Sequence, residues 1–334
     1  MVGAAPVDRK GDRQLTWDVV THEDVREAAT RLKGIVHQTP LFHSRLLDEV
    51  AGGTVLLKAE NQQRSGAFKF RGAYNAIAKN LAECRKAGVI TGSSGNHGGA
   101  VALAASLLGV RAVIVMPVDA AGVKVAAVRD CGAEVVKFGH TNEERLAHAW
   151  SRAEREGLVP IPPYDHPDVI AGQATCGEEI FDAGTPGVVL VPTGGGGLFS
   201  GIAVSASVRS PLTEVWGVET ESARDTWLSF HEGRRVRIDL PDTIADGMRT
   251  LSPGEITFPL MHKYARGVVL VSERDVREAM IFLMTRMKLV VEPTGAVGAA
   301  AVLKRRIDLN GRTAVVVLSG GNVDPVAYAR ILAE

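Results

Sequence analysis

Short runs of aliphatic and β-branched residues recur along the 334-residue chain: TVLLK at 54–58, AVIVM at 112–116, EVVKF at 134–138, GVVLVP at 187–192, EVWGVE at 214–219, GVVLVS at 267–272 and AVVVLS at 314–319. Between them lie longer stretches with helical spacing at 22–33, 98–109, 142–157, 197–208 and 273–288. Apolar runs of strand length alternating with helices predict βαβ units and a parallel sheet covered on both faces, an α/β fold. Ser272, just ahead of Glu273 and Asp275, marks a helix start by its capping chemistry. No repeat, low-complexity tract or linker interrupts the pattern, so composition draws no domain boundary.

Composition narrows the class without naming a chemistry. The chain is 46% hydrophobic and 23% charged, with 38 Lys plus Arg against 38 Asp plus Glu. A balanced chain without a basic block gives no electrostatic reason to expect a nucleic-acid or anionic membrane partner. Cys84, Cys131 and Cys176 are odd in number and far apart, which excludes a disulfide framework and fits a reducing compartment. The nine histidines show no zinc spacing. The N-terminus has no apolar signal core, and the most apolar stretch, Gly98 to Met116, is broken by Arg111. These features together predict a soluble cytoplasmic protein.

Glycine is over-used, at 36 residues, and gathers just after strands. In an open parallel sheet, ligands bind beyond the carboxyl ends of the strands. Three strand ends suit such a crevice: TGSSGNHGG (Thr91 to Gly99), TGGGG (Thr193 to Gly197) and SGGN (Ser319 to Asn322). The tetraglycine loop lets successive backbone N–H groups close on an anion, and the helix beginning near Leu198 adds its positive dipole end. A plain flexible turn is the alternative, but four consecutive glycines carry an entropic cost that such a turn does not require. Glu219, about 20 residues downstream, keeps dinucleotide binding as a rival. The spacing argues against it: G-x-G-x-x-G from Gly194 meets Phe199, and from Gly195 it meets Ser200. No G-K-S/T follows, so a P-loop is excluded.

The chain resembles the fold type II pyridoxal-phosphate enzymes, and more narrowly the serine racemase and threonine (serine) dehydratase family. The likeness is carried by an ordered set of motifs from about Val20 to Tyr328. They are GAFKFRGA (66–73), SSGNH (93–97), TGGGGL (193–198), ADGMRT (245–250), MKLVVEPTGA (287–296) and LSGGN (318–322). The resemblance implies two parallel-sheet α/β domains. A small domain, 87–165, is inserted in a large cofactor-binding domain formed by 1–86 and 166–334. It also implies pyridoxal 5′-phosphate, a homodimer, and a small amino-acid substrate.

Roles follow from it position by position. Lys69 resembles the lysine that holds the cofactor; Phe68 and Phe70 beside it, and a helix start, are compatible with a lowered amine pKa. Phe68 is implied to pack on the ring and Asn96 to bind the phenolic oxygen. Gly194, Gly195, Gly196, Gly197 and the Leu198 amide are implied to hold the phosphate. Ser319 resembles the neutral partner of the pyridine nitrogen, which makes the ring a weaker electron sink and favours prompt loss of a β-hydroxyl. The residues alone leave other readings open: an ordinary lysine at 69, a left-handed turn residue at Asn96 and a helix cap at Ser319.

Ser93, Ser94, Asn96, His97, Arg145 and Thr250 are implied to meet the substrate, with a solvated helix arginine as the other reading of Arg145. Ser94 matches the racemase residue that faces the lysine across the cofactor, and two groups on opposite faces permit racemisation. Glu219, the Ala223 carbonyl and Asp225 match a Mg²⁺ or Ca²⁺ site, where an exposed acidic turn is the alternative. Ala67 and Gly99 depart from relatives that carry serine and glutamine there, the latter weakening the case for nucleotide activation. The chain ends soon after SGGN, so an added regulatory domain is not expected. The expected activity is dehydration and deamination of L-threonine, L-serine or 3-hydroxyaspartate. Racemisation of serine or aspartate by Lys69 and Ser94 is the alternative, and a nicotinamide-dependent dehydrogenase or a non-catalytic amino-acid sensor lies further off.

Overall fold

The computed structural model describes residues 19–93, 95–120 and 122–333. Among the described residues, ten strands form two sheets: β1 (Leu41–His43), β2 (Val55–Lys58), β3 (Val89–Gly92), β4 (Ala112–Met116), β5 (Glu134–Lys137), β6 (Val159–Pro160), β7 (Val188–Pro192), β8 (Glu214–Thr220), β9 (Gly267–Val271) and β10 (Ala314–Val317). The larger sheet runs β1-β2-β10-β7-β8-β9 and the smaller β5-β4-β3-β6. All pairings among the described strands are parallel except β1 with β2, which is antiparallel at the sheet edge. The four strands of the smaller sheet all fall between residues 89 and 160.

The central strands β4 and β7 are buried at every position. This is why AVIVM and VVLVP read as continuous apolar runs: helices cover both faces. The edge strand β5 alternates less cleanly, with Glu134 and Lys137 exposed. Among the described residues, three helix starts carry full capping boxes: Thr21 with Asp24, Thr141 with Glu144, and the expected Ser272 with Asp275. The run read as one helix over 273–288 is a helix over Glu273–Phe282 followed by a π-helical turn, Leu283–Met287, closed by Lys288 at φ +60°.

The helices Lys69–Lys79, Pro167–Ala183 and Gly197–Arg209 pack side by side. Glycines at the crossings bring the backbones together: a Cβ on Gly172 would lie 2.6 Å from Gly72 Cα, and one on Gly201 2.8 Å from the Ala174 nitrogen. Pro167–Ala183 is buried on nearly every side, so it shows no amphipathic stripe and its sequence did not announce a helix.

Behind the start of Lys69–Lys79 lies a charge network. Arg71 Nη2 and Nε donate to Glu60 Oε1 and Oε2, both at 2.8 Å, and Nη1 donates to Glu179 Oε1 at 2.7 Å. Lys58 Nζ donates to Glu179 Oε2 at 2.6 Å and to the Thr39 carbonyl at 2.7 Å. Two cations meet two carboxylates, so the buried charge is balanced. Burial opposes ionisation of Glu60, but Arg71 outweighs it and holds the carboxyl below its usual range. The network seats the turn that presents Lys69.

Candidate active site

The three glycine-rich strand ends are brought to one region. Lys69 is the first residue of its helix, and Phe68 ahead of it donates its amide to the Ser319 carbonyl at 3.0 Å. Ala67 forms an antiparallel bridge with Gly320, and the Gly321 amide donates to the Gly66 carbonyl at 2.9 Å. The lysine turn is therefore bound to the loop after β10. The backbone there is tight: Ser65 adopts φ +59° and Gly66 φ +76°.

Lys69 Nζ donates to the Pro163 carbonyl at 2.5 Å and lies 5.1 Å from the Phe68 ring centroid. Burial lowers its pKa to about 8, against the opposing pull of the Glu292 carboxylate. An amine so placed is available as nucleophile or base near neutral pH.

Asn96 opens the helix Asn96–Leu108 after the loop from β3, and its backbone is not left-handed, which removes the turn-residue reading. Its Nδ2 donates to Glu292 Oε1 at 2.7 Å, and its Oδ1 accepts from Asn322 Nδ2 at 2.9 Å. These two partners fix the amide orientation and leave the second Nδ2 hydrogen uncommitted. Burial raises the Glu292 carboxyl to about 7, with Asn96 and Lys124 pulling it back. His97 is buried, its Nε2 2.9 Å from the Ile161 carbonyl, and its Nδ1 has no partner among the described residues. Burial and the charge of Lys69 push its pKa to about 3, so the ring is neutral. Ser93 Oγ accepts from the Gly95 amide at 3.3 Å. Ser94 lies outside the described residues.

The tetraglycine loop is buried and closely overlaid, which rules out a loose turn. A Cβ on Gly194 would lie 2.4 Å from the Gly247 carbonyl oxygen, and one on Gly195 2.4 Å from the Tyr164 ring. Gly196 adopts φ +91°, and Gly197 begins the helix Gly197–Arg209, with Leu198 buried behind it. The carbonyl of Gly195 accepts from Thr257 Oγ1 at 2.6 Å and from the Gly254 amide at 3.3 Å. Among the described residues, the amides of Gly194, Gly195 and Gly196 find no protein acceptor. A cradle without side chains, amides unspent, at a helix N-terminus fits a phosphate.

Ser319 is buried and follows β10, and no helix begins there. The next one, Pro325–Ala333, has its first amides held by Asp324, whose Oδ1 accepts from Val326 and Ala327 at 3.0 and 2.9 Å. The helix-cap reading of Ser319 is thus overturned. Arg145 is only 4% exposed, so the solvated-arginine reading fails as well. Its Nη1 donates to the His140 carbonyl at 3.1 Å and Nη2 to Asn142, while Nε has no partner among the described residues.

Glu219 and Asp225 are both fully buried, contrary to an exposed acidic turn. Glu219 Oε1 and Oε2 accept from the Thr226 and Trp227 amides at 3.1 and 2.8 Å. A carboxylate with no exposed surface is not presented to a ribose, which argues against the dinucleotide reading of Glu219. Burial and the neighbouring Asp225 raise its pKa well above the usual value, and burial lifts Asp225 to about 7. Asp225 Oδ1 has no partner among the described residues, and Oδ2 is 3.5 Å from Thr250 Oγ1. Ala223, also buried, completes the turn. Among the described residues no group of three or more His, Cys, Asp or Glu side chains could hold a metal, so a cation here would rest on two carboxylates and a carbonyl.

Glu292, Asn322, Pro163 and Tyr164 were not singled out by the sequence. Glu292 stands inside a quoted motif, but a lone acid before a proline reads as a helix entry. Pro163 acts through its carbonyl, which no side-chain pattern encodes.

A protein-family model described as "Pyridoxal-phosphate dependent enzyme" matches residues 32–320. The L-threo-3-hydroxyaspartate ammonia-lyase of Pseudomonas sp is 45% identical over 313 residues, 93% of this chain and 98% of that protein. The serine racemase of Schizosaccharomyces pombe is 42% identical over 315 residues, 94% and 98% of the two chains. The crystal structure of the T.th. threonine deaminase superposes with a TM-score of 0.84 at 45% identity, covering 91% of this chain and 99% of that one. No described helix is long and apolar enough to cross a membrane.

Proposed function

From the premise that this chain belongs to the pyridoxal-phosphate dependent enzymes, we propose that it converts a small hydroxy amino acid into a 2-oxo acid and ammonia. L-Threonine, L-serine and 3-hydroxyaspartate are the candidate substrates. The observation that carries this reading is Lys69: an amine whose pKa burial lowers to about 8, held by the Pro163 carbonyl one residue before Tyr164, whose ring lies on Gly195 of the side-chain-free anion cradle.

The residues fit the cofactor. The free amides of Gly194, Gly195 and Gly196, with Gly197 and Leu198 at the helix start, suit its phosphate; Lys69 suits its aldehyde carbon, Asn96 its phenolic oxygen, Ser319 its ring nitrogen and Phe68 its ring face. Bound pyridoxal phosphate supplies an electron sink that acidifies the substrate α-proton. Lys69 Nζ takes that proton, because burial keeps it largely unprotonated above pH 8. Loss of the β-hydroxyl as water would leave an enamine that tautomerises to an imine, and hydrolysis of that C=N bond would give the oxo acid and ammonia. Ser93, Asn96, His97, Arg145 and Thr250 are the proposed substrate contacts; His97 offers a neutral ring and Arg145 a guanidinium with one unspent N–H.

Racemisation is the second reading, favoured by the relatives named as racemases, and it rests on Lys69 with Ser94. We also propose Mg²⁺ or Ca²⁺ at Glu219, Asp225 and the Ala223 carbonyl, supported by the burial of both carboxylates and by the unpartnered Asp225 Oδ1. A small domain at 87–165, a homodimer and a cytoplasmic location complete the proposal.

The test is the absorbance of the purified holoprotein with borohydride trapping and peptide mapping, followed by assays for oxo acid and inverted enantiomers. A visible band abolished by borohydride, with the label on Lys69 and ammonia released from a hydroxy amino acid, supports the reading. A colourless protein that gains no band with added cofactor overturns it.

A further inference from the structure

An asparagine side-chain amide has two orientations related by a half-turn, and its neighbours decide which one it takes. Asn96 has such neighbours on both sides. Its Nδ2 donates to Glu292 Oε1 at 2.7 Å, and its Oδ1 accepts from Asn322 Nδ2 at 2.9 Å. Asn322 is itself oriented, because its Nδ2 also donates to the Ser65 carbonyl at 2.6 Å. A backbone carbonyl can only accept, and so can an ionised carboxylate. The chain Ser65, Asn322, Asn96, Glu292 therefore begins and ends on obligate acceptors. Turning Asn96 over would set its Oδ1 against the carboxylate and its Nδ2 against the Asn322 donor. Turning both amides over would replace the second conflict with another, Asn322 Oδ1 against the Ser65 carbonyl.

The surrounding backbone leaves room for this clamp. A Cβ on Gly66 would overlap Asn322 Oδ1, and one on Gly320 would overlap Glu292 Oε1 and lie 3.0 Å from Asn96 Nδ2. The Glu292 amide donates to the Gly320 carbonyl at 3.1 Å, which seats the acid at the entrance of the helix Pro293–Leu303. Burial raises the Glu292 carboxyl to about 7, with Asn96 and Lys124 opposing and Asp246 adding to the rise. Above that pH it is the acceptor-only carboxylate that the clamp requires. The four residues join the lysine turn, the loop after β3 and the loop after β10 through side chains alone.

We infer that Glu292 and Asn322 are positioning residues that hold the Asn96 amide so that it offers a donor, its second Nδ2 hydrogen, to the cofactor's phenolic oxygen. The inference rests on the cofactor reading of Asn96 and deepens it. Glu292 takes one Nδ2 hydrogen and Asn322 occupies Oδ1, so the nitrogen keeps one N–H to give. A donor at that place stabilises an ionised phenolic oxygen, whereas a carbonyl oxygen there would repel it. The direction of one amide is thus set by two residues that need not touch the cofactor themselves.

The test compares the wild-type holoprotein with Glu292→Gln, Asn322→Ala, Asn96→Ala, and the two double variants that combine Asn96→Ala with each of the others. Measurements are made at about pH 9, where the Glu292 carboxyl is ionised. Glutamine keeps the shape of Glu292, and Asn322 is exposed, so neither change empties the core; melting temperature checks that each variant is folded. The readout is the ratio of the long-wavelength to the short-wavelength cofactor band, which reports ionised against neutral phenolic oxygen. Each single variant is expected to lower this ratio about fivefold, the worth of one net hydrogen bond. In the Asn96→Ala background, Glu292→Gln and Asn322→Ala are each expected to change it by less than about twofold, because they act through the residue already removed. Asn322→Ala removes no charge, so its effect separates orientation of the amide from the field of the carboxylate. An unchanged ratio in either single variant, or an undiminished effect of either in the Asn96→Ala background, would overturn the assignment. A wild-type protein that gains no visible band with added pyridoxal phosphate would overturn the cofactor reading and this inference with it, so colour alone tells the two failures apart.

Discussion

Asn96 and Glu292, 196 positions apart in sequence, are joined by a 2.7 Å hydrogen bond from the Asn96 amide to the carboxyl Oε1. The contact ties the loop after β3 to the entrance of the helix Pro293–Leu303 and holds a carboxyl within electrostatic reach of Lys69. Burial raises Glu292 to about 7. A carboxyl raised in the folded state contributes stability that is fully present below its unfolded value, 4.5, and is lost as pH rises through about 7. Cofactor-free Glu292→Gln should therefore lack that loss. Urea unfolding at pH 5 and pH 8 should show wild type losing up to about 3 kcal/mol relative to the variant; parallel pH profiles would refute the linkage.

The Lys69 amine in the cofactor-free protein should react with an acylating reagent with a midpoint near pH 8, because burial disfavours the ammonium form. An ordinary lysine has a midpoint about two units higher. Glu292 raises the Lys69 pKa, so Glu292→Gln should move the midpoint further toward acid. Mass spectrometry of the Lys69 peptide reads both values. A midpoint above pH 10 would mean that the amine is not desolvated.

Gly196→Ala places a side chain at φ +91° and 2.6 Å from Met261 Cε. The left-handed conformation alone costs about 1–3 kcal/mol. The loop amides would shift with it, so cofactor affinity should fall at least tenfold, measured by fluorescence titration of the cofactor-free protein. Gly99→Ala meets nothing within 4 Å and should bind the cofactor as wild type does.

Glu60→Gln leaves Arg71 without its bidentate carboxylate in a fully buried position. Breaking a buried pair in this way costs about 3–5 kcal/mol, and urea denaturation should show a loss of that size. Because Arg71 lies two residues after Lys69, cofactor binding should weaken as well. A loss below about 1 kcal/mol would mean that the network is not a structural anchor.

Asp225→Asn should remove any gain in melting temperature that Mg²⁺ or Ca²⁺ confers on wild type, measured with chelator as the reference. The orphaned Oδ1 is the atom at stake. If neither ion raises the wild-type melting temperature, the proposed cation site is wrong.

What the chain determined by itself is local. Strand runs such as AVIVM and GVVLVP form at β4 and β7 within a residue of their expected limits, because a strand buried on both faces has no polar positions to hide. Ser272 with Asp275 starts its helix as expected, because capping depends on residues three apart. Lys69, Asn96, the glycines and Ser319 could be singled out as candidates because the motifs carrying them stand in a recognisable order. Tertiary structure decided the rest. The helix Pro167–Ala183 is buried all round and so carries no stripe to read. β1 and β6, of three and two residues, are too short to carry a pattern and exist through their neighbours. Gly195 and Gly197 lack side chains because Tyr164 lies on them, a reason that comes from 30 or more residues away. The contacts of Glu292 with Asn96, of Tyr164 with Gly195 and of the Pro163 carbonyl with Lys69 join residues distant along the chain, and the Lys69 and Glu292 pKa shifts come from burial that only the packed chain provides.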